Sequence, residues 1–156
     1  MHGYPYALMT MDYIIEGLNH GVQAFNIWGL HTMYYPGNNY MDYGLWDYVN
    51  DTVRPVYHAV SLFTRFCQTG DHVYNCFSNH PNVVNAVRVG NAIFWLNHDD
   101  IPHDIKFTSV DIDSVRVMTE ESLFGDRECG QILYPENSFF AAPAGSFGVA
   151  ITSFEE

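Results

Sequence analysis

The densest group of metal-ligating side chains is Asn97-His98-Asp99-Asp100 with His103-Asp104, which packs imidazoles and carboxylates into a single short stretch. Such a donor set suits a divalent cation. Pro102 and the flanking runs Ala92–Asn97 and Ile105–Ser109 make the stretch a connection between strands. Asn and Asp are favoured there because their side chains bond nearby backbone, so it reads as a solvated turn and no metal is assigned to it. A second group is aromatic. Trp28 is followed by Tyr34, Tyr35, Tyr40, Tyr43, Trp46 and Tyr48. Tyr and Trp join an apolar ring face to a polar edge, which suits a sugar ring as well as a protein core. Asp42 and Asp47 lie among them and could bind sugar hydroxyls. Neither stands in a buried strand that would desolvate a carboxyl for acid–base work. Cys67, Cys76 and Cys129 are odd in number and lack a CxxC spacing, which disfavours a disulfide framework. The first two read as small buried residues and the third as exposed. Asn50-Asp51-Thr52 matches the acceptor pattern for N-glycosylation, and there is no Gly-rich phosphate loop or HExxH.

Composition limits what these groups serve. The 156 residues suffice for one ordinary domain or two small ones. With 47% apolar and 15% charged residues, a packed core is expected rather than disorder. Six Lys and Arg against 18 Asp and Glu give a formal charge of −12, the wrong sign for nucleic acid or an anionic membrane surface. No apolar run approaches the roughly 20 residues of a membrane span. The sequence from Met1 to Pro5 has no cationic stretch leading into an apolar one, so no signal peptide is read.

The elements that must position the aromatic group change character near Gly70. Leu8, Met11, Ile14, Ile15 and Leu18 recur at helical spacing from Ala7 to His20, and Gly21 supplies the left-handed stop. Gln23 to Leu30 is a nearly continuous apolar run that predicts a strand buried on both faces. About His31 to Val53 follows as a long irregular loop. Pro55 then opens a helix striped by Val56, Ala59, Val60, Phe63 and Phe66 and closed by Gly70. Beyond it the period becomes two, and strands are predicted at His72–Phe77, Val84–Val89, Ala92–Asn97, Ile105–Ser109, Val115–Thr119, Gln131–Tyr134 and Phe147–Phe154. Gly90-Asn91 marks a hairpin, and Pro143-Ala144-Gly145-Ser146 marks a turn. The fold class expected is an α/β segment over residues 1–70 followed by an all-β antiparallel sandwich over 71–156.

Taken in order, Phe25-Asn26-Ile27-Trp28-Gly29-Leu30, Tyr43-Gly44-Leu45-Trp46, Arg54-Pro55-Val56-Tyr57-His58-Ala59, Leu62-Phe63, Arg65-Phe66 and Gly70-Asp71-His72-Val73 resemble a known arrangement. It is the C-terminal end of the clan of (β/α)8-barrel retaining glycoside hydrolases that includes β-xylosidases, α-iduronidases and glucosylceramidase-like enzymes. Pro143 to Val149 resembles the last turn and strand of the small β-sandwich that follows the barrel there. The resemblance implies that residues 1–70 are the terminal βα unit of a barrel. Trp28 would then end the eighth strand, and Tyr34, Tyr35, Tyr43 and Trp46 would line the sugar cleft. Retaining glycosidases need two carboxyl groups flanking the scissile bond. In the clan these are Glu residues on strands four and seven, and neither finds a place in this sequence. A whole barrel takes roughly 250 residues.

The expectation is therefore a chain without its own catalytic pair, cofactor or metal. Its expected partners are an oligo- or polysaccharide, together with the missing N-terminal barrel portion or a second copy. The parent enzyme would be extracellular or periplasmic. The rival expectation is a non-enzymatic β-sandwich module, binding carbohydrate or another protein, with residues before Gly70 as a helical arm. A severed barrel piece is expected to expose an apolar patch along Leu8, Ile14, Phe25, Ile27, Val60 and Phe63.

Overall fold

The computed structural model describes residues 3–27, 29–31, 33–35, 37, 39–41, 44–47, 50–123 and 130–153. In chain order its elements are α1 (Tyr4–Asn19), β1 (Met33–Tyr35), β2 (Asn39–Met41), β3 (Trp46–Asp47), β4 (Thr52–Val53), α2 (Pro55–Phe66), β5 (Val73–Asn75), β6 (Val84–Val89), β7 (Ala92–Asn97), β8 (His103–Lys106), β9 (Ile112–Met118), α3 (Glu120–Leu123), β10 (Gln131–Leu133), β11 (Phe139–Ala142) and β12 (Ser146–Thr152). A 3-10 turn at Glu136–Ser138 leads into β11.

Both long helices begin on a proline in the first turn, where no backbone N–H is lost. The end of α1 is a Schellman turn. Val22 N donates to Gly17 O at 2.8 Å and Gly21 N to Leu18 O at 3.0 Å, with Gly21 at φ +84°. Helix α2 stops at Phe66, because Cys67 is already extended. Gly70, expected to end the helix, instead turns the chain beyond it, where Gln68 N donates to Asp71 Oδ2 at 2.7 Å.

The centre of the molecule is a six-stranded antiparallel sheet in the order β10-β9-β12-β7-β6-β5. Side chains alternate across it, so the four inner strands β9, β12, β7 and β6 feed two cores. On one face Val87, Phe94, Leu96, Phe147 and Val149 meet Met11, Ile15, Leu62 and Phe63 of the helices. The Phe63 and Phe94 rings stack there with centroids 4.1 Å apart. On the other face Ile93, Trp95, Val115, Val117 and Ala150 meet Ile105 and Phe140. These last two belong to the antiparallel ribbon β8–β11, and the Trp95 and Phe140 rings are 5.0 Å apart. Central β7 is buried along its whole length. A side chain at Gly148 of β12 would collide with Arg116 O and the Trp95 ring, so only glycine lets β12 lie between β9 and β7.

Two polar anchors tie the layers. Tyr4 Oη donates to Met118 O at 3.1 Å, fixing α1 to the end of β9; burial, with Glu120 nearby, raises the Tyr4 pKa. Asn97 is fully buried, and its Nδ2 donates to Ile101 O (3.0 Å), Ala142 O (3.2 Å) and Pro143 O (2.8 Å). One side chain thus satisfies the open carbonyls of two adjoining turns.

The structure corrects the expectations at several points. Residues 22–27 form no strand, and most are exposed, Ile27 at 36%. An apolar run becomes a buried strand only with neighbouring strands to take its N–H and C=O groups. Among the described residues no strand lies alongside it. Phe25 instead folds back over α1, edge-on to Tyr13 at 5.6 Å and against Gly17. The expected apolar patch is also smaller than foreseen: Ile14 and Phe63 are buried in the helix–sheet core, and Leu8, Phe25 and Val60 are half-buried. The loop from 31 to 53 is less irregular than expected, for it contains the hairpins β1–β2 and β3–β4. Strand β11 and helix α3 were not foreseen. Among the described residues, no helix is long and apolar enough to cross a membrane.

Candidate functional site

The aromatic loop enters helix α2 through a compact frame. Hairpin β1–β2 pairs Tyr34 with Tyr40 and Tyr35 with Asn39, and hairpin β3–β4 pairs Trp46 with Val53. The two parts are joined where His31 bridges Trp46 in parallel fashion and Trp46 N donates to Leu30 O at 2.9 Å. Gly44 makes that approach possible, because a Cβ there would strike the His31 backbone.

Arg54, just before α2, closes the frame. It is only 6% exposed; its Nη1 donates to Gly44 O at 3.2 Å and its Nη2 lies 3.8 Å from Asp47 Oδ2. Its backbone N donates to Leu45 O at 2.9 Å. Asp47 is held from the other side by Asn50, whose Nδ2 donates at 2.8 Å and whose N donates at 3.3 Å. Asp47 is thereby a structural acceptor within the loop. Asn50, the asparagine of the glycosylation pattern, sits exposed in the β3–β4 turn beside Asp51 at φ +52°.

Trp46, 40% exposed, is fixed at the rim of this frame. A half-exposed Trp on a backbone tied at both ends offers a rigid apolar face, the element a sugar-stacking wall needs. Tyr34 and Tyr35 lie on β1. Trp28 and Tyr43, together with Asp42, lie outside the described residues. The clamp role of Arg54 was missed by the reading of the sequence. A cation at a helix start looks like a solvated boundary unless the carbonyl it meets is known.

The His and Asp cluster behaves as a turn with one internal pair. Asp99 Oδ2 lies 2.8 Å from His103 Nε2, and the hydrogen bond from His103, followed by one from Asp100, holds the Asp99 carboxyl below the ordinary carboxylate range. His98 Nε2 lies 3.0 Å from Asn82 O. Among the described residues, no group of three or more His, Cys, Asp or Glu is placed to hold a metal. Cys67 is raised to about 11 by burial and by Asp71, and burial likewise raises Cys76. A thiol held protonated is a poor nucleophile.

This architecture, helices backing one face of an antiparallel sheet and a ribbon covering the other, occurs in solved glycoside hydrolases. The chain superposes on a glycoside hydrolase family 30 subfamily 8 xylanase from Clostridium acetobutylicum with a TM-score of 0.65 and 15% identity, covering 99% of this chain and 40% of that one. A GH30 endoxylanase from Clostridium papyrosolvens C71 gives a TM-score of 0.62 at 15% identity, covering 98% of this chain and 39% of that one. The chain thus spans about two fifths of the length of these enzymes. At such identity the likeness is one of fold. No protein-family model matches the chain, and no curated protein matches it.

Proposed function

We propose that the chain is the C-terminal portion of a retaining glycoside hydrolase acting on a neutral polysaccharide of the xylan kind. Residues 1–70 contribute the terminal βα unit of a (β/α)8 barrel, and residues 71–156 form an accessory β-sandwich. The loop carrying Trp28, Tyr34, Tyr35, Tyr43 and Trp46 walls the sugar cleft, while the two catalytic carboxyl groups come from barrel strands outside the chain. The observation that carries this reading is the superposition of nearly all of the chain on two fifths of two xylanases. The apolar run at residues 22–27, beside which no strand lies among the described residues, is in keeping with it, as is an acidic charge of −12, which disfavours polyanionic glycans.

One observation favours the rival, a non-enzymatic carbohydrate-binding or interaction module with a helical arm. Ile14 and Phe63, expected to face missing barrel neighbours, are buried against the sheet, so helices and sheet already close a core. An antibody raised against this chain separates the two readings on extracts and medium of the source cells. The hydrolase reading expects a band roughly two and a half times the size of this chain, following from the 40% coverage, and a captured protein that cleaves xylan. A band at the size of 156 residues without xylan cleavage would establish the module instead. In the long protein, Trp46→Ala should weaken xylo-oligosaccharide binding about tenfold, the value of a lost aromatic stacking surface.

A further inference from the structure

We propose that the chain carries a second glycan site at the far end of α2 from the aromatic loop, in the cleft where β5 and the β6–β7 turn meet the segments 109–111 and 152–153. The cleft has a volume of about 690 Å³, within the range of small-molecule sites. Helix α2 has 12 residues, so its two ends lie about 18 Å apart. The aromatic loop joins its first turn, whereas Phe66 in its last turn lines the cleft.

The cleft is built rather than left over. Gly90 N donates to His72 O at 2.9 Å, Thr152 N to Asn91 O at 2.9 Å, and Ser153 N to Asp111 O at 3.0 Å, so four segments share one backbone frame. Arg88 Nε donates to Gly90 O at 2.9 Å, and its guanidinium lies 5.3 Å from the centre of the Tyr74 ring. That contact steadies a Tyr which is half exposed, at 51%. Asp71 is oriented by the bond from Gln68 N. Gly90 keeps the space in front of Asp71 open, since a Cβ there would press on its carboxyl at 3.1–3.3 Å.

The lining chemistry selects the ligand. Tyr74 supplies a ring, Asp71 and Asp111 accept hydrogen bonds, and Arg88 and Asn91 donate them. Asp71 and Asp111 face one guanidinium, Arg88, and the imidazole of His72, so the lining carries no net cationic charge, and in a chain of charge −12 it disfavours phosphate, sulfate or uronate groups. A neutral ligand dense in hydroxyls uses every one of these groups, and a saccharide is that ligand. The inference does not rest on a catalytic role for the parent protein, because the site lies wholly within the described chain.

Titrating the chain with xylohexaose, cellohexaose and hexagalacturonate, with amide chemical shifts and calorimetry as readouts, tests it. At least one neutral hexasaccharide should bind and move the amides of Asp71, Tyr74, Arg88 and Asn91. Tyr74→Ala and Asp71→Asn should each weaken that binding tenfold or more, while Met9→Ala, an exposed change on α1 away from the cleft and the aromatic loop, leaves it unchanged. The shift map of the unaltered chain decides the matter even where a variant fails to fold. The proposal is overturned if neither neutral hexasaccharide binds at millimolar concentration, or if hexagalacturonate binds better. It is equally overturned if binding maps to the Trp46 loop and is lost only in Trp46→Ala, a result that would leave the hydrolase reading standing.

Discussion

Arg54 sets the geometry of the aromatic loop through a backbone carbonyl and a carboxylate. Its guanidinium is withdrawn from water and shared between Gly44 O and the Asp47 carboxylate, while Asn50 holds Asp47 from the other side. Truncating it strands a buried carbonyl and weakens the restraint on a partly exposed carboxylate. A stranded buried acceptor costs about 1–3 kcal/mol. Arg54→Ala is therefore expected to lower unfolding stability by that amount in a urea titration and to raise the exposure of Trp46, seen as a red shift of its fluorescence. Unchanged stability and emission would remove Arg54 from its role as clamp. At this scale the sequence was half legible. Trp46 stood out in the sequence by its type and its loop, but its exposure did not. The clamp could not, because Arg54 and Asp47 are seven positions apart and meet only after β3–β4 has formed. The need for glycine at position 44 was likewise hidden, because it comes from the His31 backbone lying against it.

Helix α2 links the aromatic loop to the sheet, and His58 on its buried face makes that link sensitive to pH. His58 is 7% exposed and meets Tyr57 edge-on at 5.4 Å. Burial first, and Arg65 second, lower its pKa from 6.5. The unfolded chain therefore binds a proton that the folded chain refuses. Stability is held above pH 6.5 and falls as the pH drops from there towards the folded value, below which this contribution stops changing. Urea midpoints measured from pH 7.5 to 5 should fall across that window, and His58→Gln should flatten the fall; an equal fall in both proteins would assign it to other groups. Elements were legible where residue type and period agreed. Val84–Val89 and Ala92–Asn97 were foreseen to the residue because β-branched and aromatic side chains flank an obvious Gly-Asn turn. Phe139–Ala142 alternates between exposed and buried, but half of it is alanine, a weak strand former. The run predicted from Gln23 failed for the opposite reason: its apolar character was plain, but among the described residues no strand lies beside residues 22–27 to bury them.

At the scale of the molecule, one sheet serves two cores, and the chain divides in stability accordingly. Strands β6, β7, β9 and β12 are covered by helices on one side and by the β8–β11 ribbon on the other. Apart from Phe25, which packs on the edge of the helix–sheet core, the stretch at residues 22–27 lies outside both cores. Strand content was readable from the sequence, whereas the order β10-β9-β12-β7-β6-β5 and the cleft it creates were not, since long-range pairing leaves no local signature. Amide exchange tracks the opening free energy of each segment. In the isolated chain, amides of β7 and β12 should exchange only through global unfolding, and those of residues 23–27 within seconds. Under the hydrolase reading, the same 23–27 amides in the long parent protein become the inner rungs of a barrel and should exchange as slowly as β7. A free module makes the contrary demand, with fast exchange at 23–27 in every natural form of the protein. The two readings thus differ by orders of magnitude in the exchange rates of a handful of amides, and mass spectrometry of peptides spanning residues 20–30 from both proteins separates them without an assay for activity.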